Sequence, residues 1–232
     1  RDVAPSRGLG DVYKRQQMEE EGMIDQEMQH CRKIVRFDPT ISTANQGDFI
    51  IRNACEHVLH DCFPVQLSVA VPVRDRLSKV SMKHVGSADY AFVCGTNLLS
   101  SDMRRQRMWN IRLRDAVMMR CGDLHKRELL NFRLIHEKFQ RTHVILLGAG
   151  WYQYQDEPTG YTKRILKTLL DGQYLHAVRD EYTRQRLLKL GITNVLNTAC
   201  PTMWGLTDDK CAQIPTHKAD RVVTTLTDYR SC

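Results

Sequence analysis

The chain has 232 residues, of which 42% are hydrophobic and 26% are charged, and its formal net charge is +7. These values are ordinary for a globular protein that forms one large domain, or one domain and part of another. No apolar run approaches the roughly 20 residues of a membrane span and the N-terminus has no signal-peptide pattern, so we expect a cytoplasmic protein without a transmembrane segment.

The predicted elements begin after residues 1–30, which we expect to be a non-native or disordered lead-in because they show no apolar periodicity. Strands are predicted from runs of β-branched and aliphatic residues, and helices from apolar residues recurring at i, i+3 and i+4. In chain order, the predicted strands are 33–37, 65–71, 90–94, 143–147, 174–178, 194–197 and 221–226. The predicted helices are 49–63, 77–84, 111–119, 124–140, 159–170 and 181–190.

The alternation of strands and helices predicts the fold class. It indicates a doubly wound, Rossmann-like α/β fold, in which a mainly parallel sheet carries helices on both faces. The long basic stretch at 100–142 is interpreted as an elaboration between two strands. In such folds ligands bind at the carboxyl ends of the strands, so the residues that follow each strand are the first candidates for a site.

One such junction is Asn45-Gln46-Gly47-Asp48. Its glycine allows the backbone to approach a ligand closely, and the start of the following helix favours negative charge. Asp48 is placed to orient or deprotonate a hydroxyl group of a substrate. The alternative is that Asp48 is the N-cap of a helix that begins at Phe49, and the spacing alone favours this alternative because aspartate is common at helix starts.

Two glycine-containing segments, Gly95-Thr96-Asn97 and Gly148-Ala149-Gly150, also follow strands. Each can cradle a ligand with main-chain N–H groups. Neither is the dinucleotide fingerprint, because the second segment lacks the third glycine and has Trp151 and Tyr152 where a helix should pack tightly. A tight turn at a sheet edge is the alternative for both.

Arg179 comes directly after an apolar strand and before a helix. An arginine held there can bind a carboxylate or phosphate with two parallel hydrogen bonds. The alternative is a surface ion pair with Asp180 or Glu181, which contributes little. His176, on the same strand, is interpreted as a hydrogen-bonded sheet residue rather than a catalyst.

The arginines at 104–120 form the strongest concentration of charge. We interpret this run as a solvated helical face, because packing residues such as Trp109 and Ile111 are interleaved with it. The alternative is a nucleic-acid or membrane-surface patch, but no sequence fingerprint of a nucleic-acid-binding module accompanies the charge. We therefore predict no nucleic-acid partner.

The eight cysteines include no Cys-x-x-Cys pair and no histidine at zinc-finger spacing. This pattern predicts free thiols in a reducing compartment and no metal site. Cys200 lies in Cys200-Pro201-Thr202-Met203-Trp204, without a helix start or a basic cluster that would activate it as a nucleophile. That segment is interpreted as a rigid, packed turn.

Taken together, six ordered blocks of the sequence resemble the polysaccharide pyruvyl transferase family. They extend over about 190 residues, and the set is far more specific than any single block. One departure is Cys94-Gly95, where many relatives have two glycines. The blocks are 45–51, 95–101, 146–151, 176–183, 197–204 and 224–229.

The resemblance implies a fold like that of GT-B glycosyltransferases, with an active site between two domains. It divides the chain into a Rossmann-like N-terminal domain at 31–205 and a linker with the first strand of a second domain at 206–232. The family's second domain supplies a histidine and a further arginine at the donor site. We therefore expect the chain to be a truncated fragment that is inactive alone.

The resemblance also implies the activity, which is transfer of a pyruvyl group from phosphoenolpyruvate to two hydroxyls of a sugar in surface-polysaccharide biosynthesis. It implies no cofactor, and an acceptor that is a sugar or a lipid-linked glycan. Arg179 matches an arginine that helps to bind phosphoenolpyruvate, and Asp48 is the second catalytic candidate. The expected substrate-binding residues are Asn45, Gly47, Gly95, Thr96, Asn97, Gly148, Gly150 and Arg179.

The alternative function is a non-catalytic α/β domain that binds a glycan or a nucleotide sugar. A nucleotide-dependent Rossmann enzyme is disfavoured by the missing dinucleotide fingerprint. Phosphate release in the presence of an acceptor distinguishes the transferase from the binding domain.

Overall fold

The computed structural model describes most of the chain, over residues 31–106, 108–121, 143–152, 155–170, 173–218 and 220–221. The predicted lead-in, the predicted helix at 124–140 and nearly all of the predicted strand at 221–226 lie outside these residues. Across the part described, no helix has both the length and the apolarity that crossing a membrane requires.

Strands and helices alternate along the chain as predicted. The strands are β1 (Arg32–Asp38), β2 (Gln66–Pro72), β3 (Tyr90–Cys94), β4 (Asn97–Leu99), β5 (His143–Trp151), β6 (His176–Val178) and β7 (Val195–Asn197). The helices are α1 (Gln46–Cys62), α2 (Lys79–Gly86), α3 (Leu113–Cys121), α4 (Gly160–Leu169), α5 (Glu181–Lys189) and α6 (Asp208–Ala212), with a 3-10 helix at Pro201–Met203.

The seven strands form a sheet in the order β2-β1-β3-β5-β6-β7, with β4 paired to β5 off this path. Every described strand pair is parallel, which confirms the predicted Rossmann-like α/β class. From β1 the chain passes to β2 on one side and later to β3 on the other. The carboxyl ends of β1 and β3 therefore flank a topological switch point, where open α/β sheets bind ligands.

The core lies on both faces of this sheet because successive strand residues point to opposite sides. In β1, Ile34 packs in a cluster with α1 residues, whereas Val35 and Phe37 pack in the larger cluster on the other face. Trp109, fully buried, meets the Phe37 ring edge-on at 5.6 Å in the larger cluster. This packing fixes α1 and the loops at the carboxyl edge of the sheet.

The strand β5 extends further than its sequence predicts. It was expected to end at Leu147, yet it continues to Trp151 because the unpredicted β4 pairs with its second half, Asn97 opposite Gly150 and Leu99 opposite Trp151. The segment 148–150 is thus part of a strand, and its interpretation as a tight turn is wrong. The predicted strand, 143–147, corresponds only to the first half of β5, which pairs with β3.

The predicted division of the chain at 205 and 206 stays a prediction, as does the GT-B-like second domain. In the described part beyond that point, the short helix α6 follows the 3-10 helix, and all residues of 205–218 are exposed.

Candidate functional site

Loops at the carboxyl edge of the sheet contain unusual backbone conformations. Among the described residues, the non-glycine residues with positive φ are Ser42 (66°), Thr96 (55°) and Ala199 (62°). They follow β1, β3 and β7 respectively. A left-handed conformation costs a non-glycine residue about 1–2 kcal/mol, and such strain clusters at functional sites. This edge is therefore where we look for a site.

The helix α1 is capped by Asn45, in extended conformation just before it. The Asn45 Oδ1 accepts a hydrogen bond from the Gly47 N–H at 3.1 Å, and its carbonyl accepts one from the Asp48 N–H at 3.0 Å. The interpretation of Asp48 as the N-cap is therefore wrong. The helix begins three residues earlier than predicted, because an asparagine side chain is as good a cap as an aspartate.

Asp48 instead forms a buried ion pair with Arg74, in the loop that follows β2. The Arg74 Nη1 lies 3.0 Å from Asp48 Oδ2, and the Asp48 side chain is only 1% exposed. The same guanidinium nitrogen donates to the Pro39 carbonyl at 3.0 Å, which ties the loop after β1 to the loop after β2. The other oxygen, Asp48 Oδ1, is buried without a hydrogen-bond partner among the described residues.

Arg74 was not among the sequence-based candidates, although it carries the signal that identified Arg179. Both arginines follow the end of an apolar strand directly or within two residues. Together, Asn45, Gly47, Asp48 and Arg74 form what we call the Asp48 cluster.

Arg179 lies at the carboxyl end of β6, and its main-chain N–H donates to the Ala149 carbonyl at 3.1 Å. Its Nη1 donates to Asn97 Oδ1 at 3.2 Å, and its Nε lies 3.9 Å from Asp180 Oδ2. The side chain remains 29% exposed. Asp180 is also the N-cap of α5, accepting from the Thr183 N–H at 2.7 Å, so its charge is shared with the helix start.

The alternative offered for Arg179 was a surface ion pair with Asp180 or Glu181, and the structure confirms the pair with Asp180, at 3.9 Å, but not the one with Glu181. The Glu181 carboxylate binds Arg184 Nη1 at 2.8 Å and Gln185 Nε2 at 2.6 Å instead. Hydrogen bonds from Gln185 and then Arg184 lower the pKa of Glu181 below its ordinary value. The carboxylate that Arg179 approaches is that of Asp180 alone among the described residues.

Gly150 makes room for the Arg179 side chain. A Cβ atom at this position would lie 2.3 Å from Arg179 Cδ and 2.5 Å from Asn97 Oδ1. The Gly150 N–H also donates to the Thr96 carbonyl at 2.8 Å, which holds the strained loop after β3 against β5. We call Asn97, Gly150 and Arg179 the Arg179 cluster.

Gly95 and Gly148 serve the packing of α1 and the 3-10 helix on the sheet edge. Both have positive φ, 52° and 70°, which glycine adopts without strain. A Cβ at Gly95 would lie 1.9 Å from Ile51 Cγ2, and one at Gly148 would lie 2.3 Å from Pro201 Cγ. Close approach of protein to protein explains these glycines, and their predicted role in substrate binding stays a prediction.

Two side chains that resemble catalytic groups have structural partners. His176 is fully buried and accepts at Nδ1 from the Leu146 N–H at 3.4 Å, which confirms its interpretation as a sheet residue. The segment at Cys200 is confirmed as a packed turn, because Pro201 begins the 3-10 helix and Trp204 Nε1 donates to the Thr198 carbonyl at 2.7 Å.

The cysteines whose side chains are described carry free thiols. Cys55 and Cys94 are buried together, and a hydrogen bond to Cys94, with burial, raises the pKa of the Cys55 thiol far above its usual range. A protonated, buried thiol is a poor nucleophile and metal ligand. Within the described residues, no three His, Cys, Asp or Glu side chains come together to hold a metal ion.

The two clusters differ in the charge that they leave available. In the Asp48 cluster, a carboxylate neutralises the arginine at 3.0 Å. In the Arg179 cluster, the arginine is held by a neutral amide and by a more distant, shared carboxylate, so its charge is available to an anion. The arrangement can therefore bind a phosphate or carboxylate group at the carboxyl ends of β5 and β6.

A family model described as polysaccharide pyruvyl transferase matches residues 45–230 of the chain. The matched region begins at Asn45 and includes both clusters. No curated protein and no solved structure gives a significant match. The family's name implies a transferase with a sugar or glycan acceptor. Since the family model matches most of its length, the chain belongs to the polysaccharide pyruvyl transferase family.

Proposed function

We propose that this protein transfers a pyruvyl group from phosphoenolpyruvate to two hydroxyls of a sugar, forming a cyclic ketal in the synthesis of a surface polysaccharide. The observation that carries the proposal is the partly exposed, incompletely neutralised Arg179 at the carboxyl edge of the sheet, within the region matched by the family model. Phosphoenolpyruvate offers a phosphate and a carboxylate, and a guanidinium binds either with paired hydrogen bonds.

The chemistry follows from the donor. Protonation of the enol carbon turns the CH₂ group into a methyl group and creates an oxocarbenium-like centre at the adjacent carbon. A sugar oxygen attacks that carbon and loses its proton, the C–O bond to phosphate breaks, and a second sugar oxygen closes the ring with loss of its own proton. One hydroxyl proton balances the proton delivered to the enol carbon, and the other leaves with phosphate. The protein has to hold the charged donor, supply a proton to the enol carbon, and accept protons from the sugar hydroxyls.

In this proposal Arg179 binds the donor, with Asn97 fixing the guanidinium and Gly150 leaving space for it. Asp48 accepts a proton from the acceptor hydroxyl. Its Oδ1 has no hydrogen-bond partner among the described residues, while Arg74 holds Oδ2. Because the Asp48 side chain is only 1% exposed, its contact with a sugar hydroxyl requires a rearrangement of the residues around it. No cofactor is part of the proposed reaction.

The proposal is tested with the full-length gene product, phosphoenolpyruvate and a panel of sugar acceptors, by measuring release of inorganic phosphate. Acceptor-dependent release is expected, and Asp48→Asn should lower kcat while leaving donor affinity unchanged. If no acceptor gives release and calorimetry detects no donor binding, the enzyme hypothesis fails and the glycan-binding alternative takes its place. Full activity of Asp48→Asn would remove the proposed role of that residue only.

A further inference from the structure

A cavity lies between α2 and α3, which pack side by side, and it is separate from the Asp48 cluster and the Arg179 cluster. Its volume is about 520 Å³, within the range of about 300–1,000 Å³ that is typical of small-molecule sites. Five cations, one carboxylate and a few apolar groups line it. They are Arg76, Leu77, Lys79, Met82, Lys83, Gly86, Arg112, Arg114, Asp115 and Met118.

The cations of this groove form no ion pair within the described part of the chain. All five are exposed, and none of their side chains forms an ion pair or hydrogen bond with a described residue. The single carboxylate, Asp115, accepts a hydrogen bond at Oδ2 from the main-chain N–H of Arg112 at 3.1 Å, so five positive charges line the groove with one negative charge. Like charges gathered around one cavity repel each other, and an anionic ligand relieves that repulsion.

The groove is preformed. The Asn110 N–H donates to the Val73 carbonyl at 2.8 Å and its side-chain amide donates to the Arg74 carbonyl at 3.2 Å, so the loop before α3 is bonded to the loop before α2. The Leu113 N–H donates to the Tyr161 hydroxyl at 3.1 Å, which fixes the start of α3 against α4. The backbone of the site is therefore fixed before binding, and only its exposed side chains have to become ordered.

The apolar part of the lining indicates a ligand with an organic group, rather than inorganic phosphate alone. Leu77 is buried, and Met82 and Met118 are half-buried, so a ligand can cover apolar surface as well as meet the cations. Among the described residues, no aromatic side chain lines the groove, and this part of it has no stacking platform of the kind found in single-stranded nucleic-acid sites. A concave cavity of this size also encloses a small molecule rather than lying flat on a bilayer.

We propose that the groove between α2 and α3 is a second binding site, independent of Arg179, for a soluble organic diphosphate. Five cations exceed what one phosphate requires and suit a diphosphate, with the arginines binding oxygens in pairs and the lysines acting as point charges. The apolar wall formed by Leu77, Met82 and Met118 contacts the organic part.

The test uses calorimetry and hydrogen exchange with adenosine diphosphate and inorganic pyrophosphate as probes. Both probes should bind saturably at low salt, adenosine diphosphate more tightly, and should protect backbone amides of α2 and α3. The double variant Lys83→Gln/Arg114→Gln should bind at least tenfold more weakly. The matched control is Lys163→Gln/Arg164→Gln, which removes two exposed charges from α4 and should change affinity less than twofold. Arg179→Gln should also retain the binding.

Three outcomes overturn the proposal. They are absence of binding, equal weakening in both double variants (which indicates a net-charge effect), and protection confined to residues near Arg179. Binding of phosphatidylglycerol vesicles without binding of either soluble probe would also contradict it, because the groove would then be a membrane contact. If the first double variant unfolds in a thermal melt, Lys79→Gln/Arg112→Gln takes its place. None of these readouts depends on pyruvyl transfer.

Discussion

Two arginines at the carboxyl edge of the same sheet have opposite situations. Arg74 is paired at 3.0 Å with a carboxylate that is 1% exposed, and it also binds a main-chain carbonyl. Arg179 is exposed to the same degree as Arg74, 29% against 28%, but its hydrogen bond of 3.2 Å goes to a neutral amide. The position of an arginine directly after a strand is therefore insufficient to assign its role. Whether its charge is available to a ligand depends on which other side chains the fold places beside it.

The comparison implies different consequences of mutation. An arginine that neutralises a buried carboxylate supports the fold, since its loss leaves an uncompensated buried charge. An arginine held by an amide contributes less to stability, and its loss should appear in ligand binding. The predictions below test this division between folding and binding.

The largest expected effect is on stability, for Arg74→Met. Loss of the Asp48 partner should lower the free energy of unfolding by about 3–5 kcal/mol, measured by urea denaturation. The control is Arg105→Met, whose pair with Asp102 is 3.7 Å long and 88% exposed on the arginine side, and which should cost less than about 1 kcal/mol. Adding Asp48→Asn to Arg74→Met should restore part of the loss. Similar costs for the two single variants would contradict the buried-pair interpretation.

A smaller effect is expected for Gly150→Ala. The new Cβ would lie 2.3 Å from Arg179 Cδ, so the arginine has to move, at a stability cost of about 1–3 kcal/mol. The free energy of phosphoenolpyruvate binding should weaken by more than the free energy of unfolding falls. The matched control is Gly160→Ala, where no atom lies within 4 Å of the added Cβ. Unchanged donor affinity in Gly150→Ala would show that the close contact does not position Arg179.

The cysteines provide a test of the core beside these clusters. Cys55 is 0% and Cys94 1% exposed, whereas Cys62 and Cys211 are exposed. Iodoacetamide should modify the exposed pair first in the folded protein, because burial blocks access and a raised pKa keeps Cys55 as a thiol. Peptide mass spectrometry measures the order. Modification of Cys55 as fast as Cys62 would contradict the packing of α1 on the sheet.

The smallest effect concerns Glu181. Its pKa is lowered from an ordinary value of 4.5 by Gln185 and then Arg184, so its contribution to stability is present above pH 4.5 and is lost as pH falls through the lower, folded pKa. Glu181→Gln should reduce the slope of stability against pH in that acidic range. Gln185→Ala should do the same to a smaller extent. A slope identical to that of the unaltered protein in both variants would contradict the assignment.

Much of the fold follows from the sequence, because helical periodicity and β-branched runs are local signals. The alternation of strands and helices, and hence the parallel sheet, was predicted in this way, whereas the order of the strands within the sheet was not. The extension of β5 to Trp151 was not predicted either, since it depends on pairing with β4, which is only three residues long.

The candidate site was only partly predictable. Arg179 and Asn97 were both identified, but their hydrogen bond joins residues 82 positions apart. The Asp48–Arg74 pair likewise depends on two loops that only the assembled sheet brings together. The glycines show the same limit: the sequence indicates close approach, but only the neighbours distinguish Gly150 beside Arg179 from Gly148 against Pro201.

The most direct test of the central claim is calorimetric titration of phosphoenolpyruvate into the full-length gene product and into its Arg179→Gln variant, with Lys163→Gln as the charge-matched control. We predict saturable binding to the unaltered protein and to the control, and at least tenfold weaker binding to Arg179→Gln, since a hydrogen bond to a charged group contributes about 1.5–3 kcal/mol. Equal affinity in all three proteins would contradict the claim that Arg179 binds the donor.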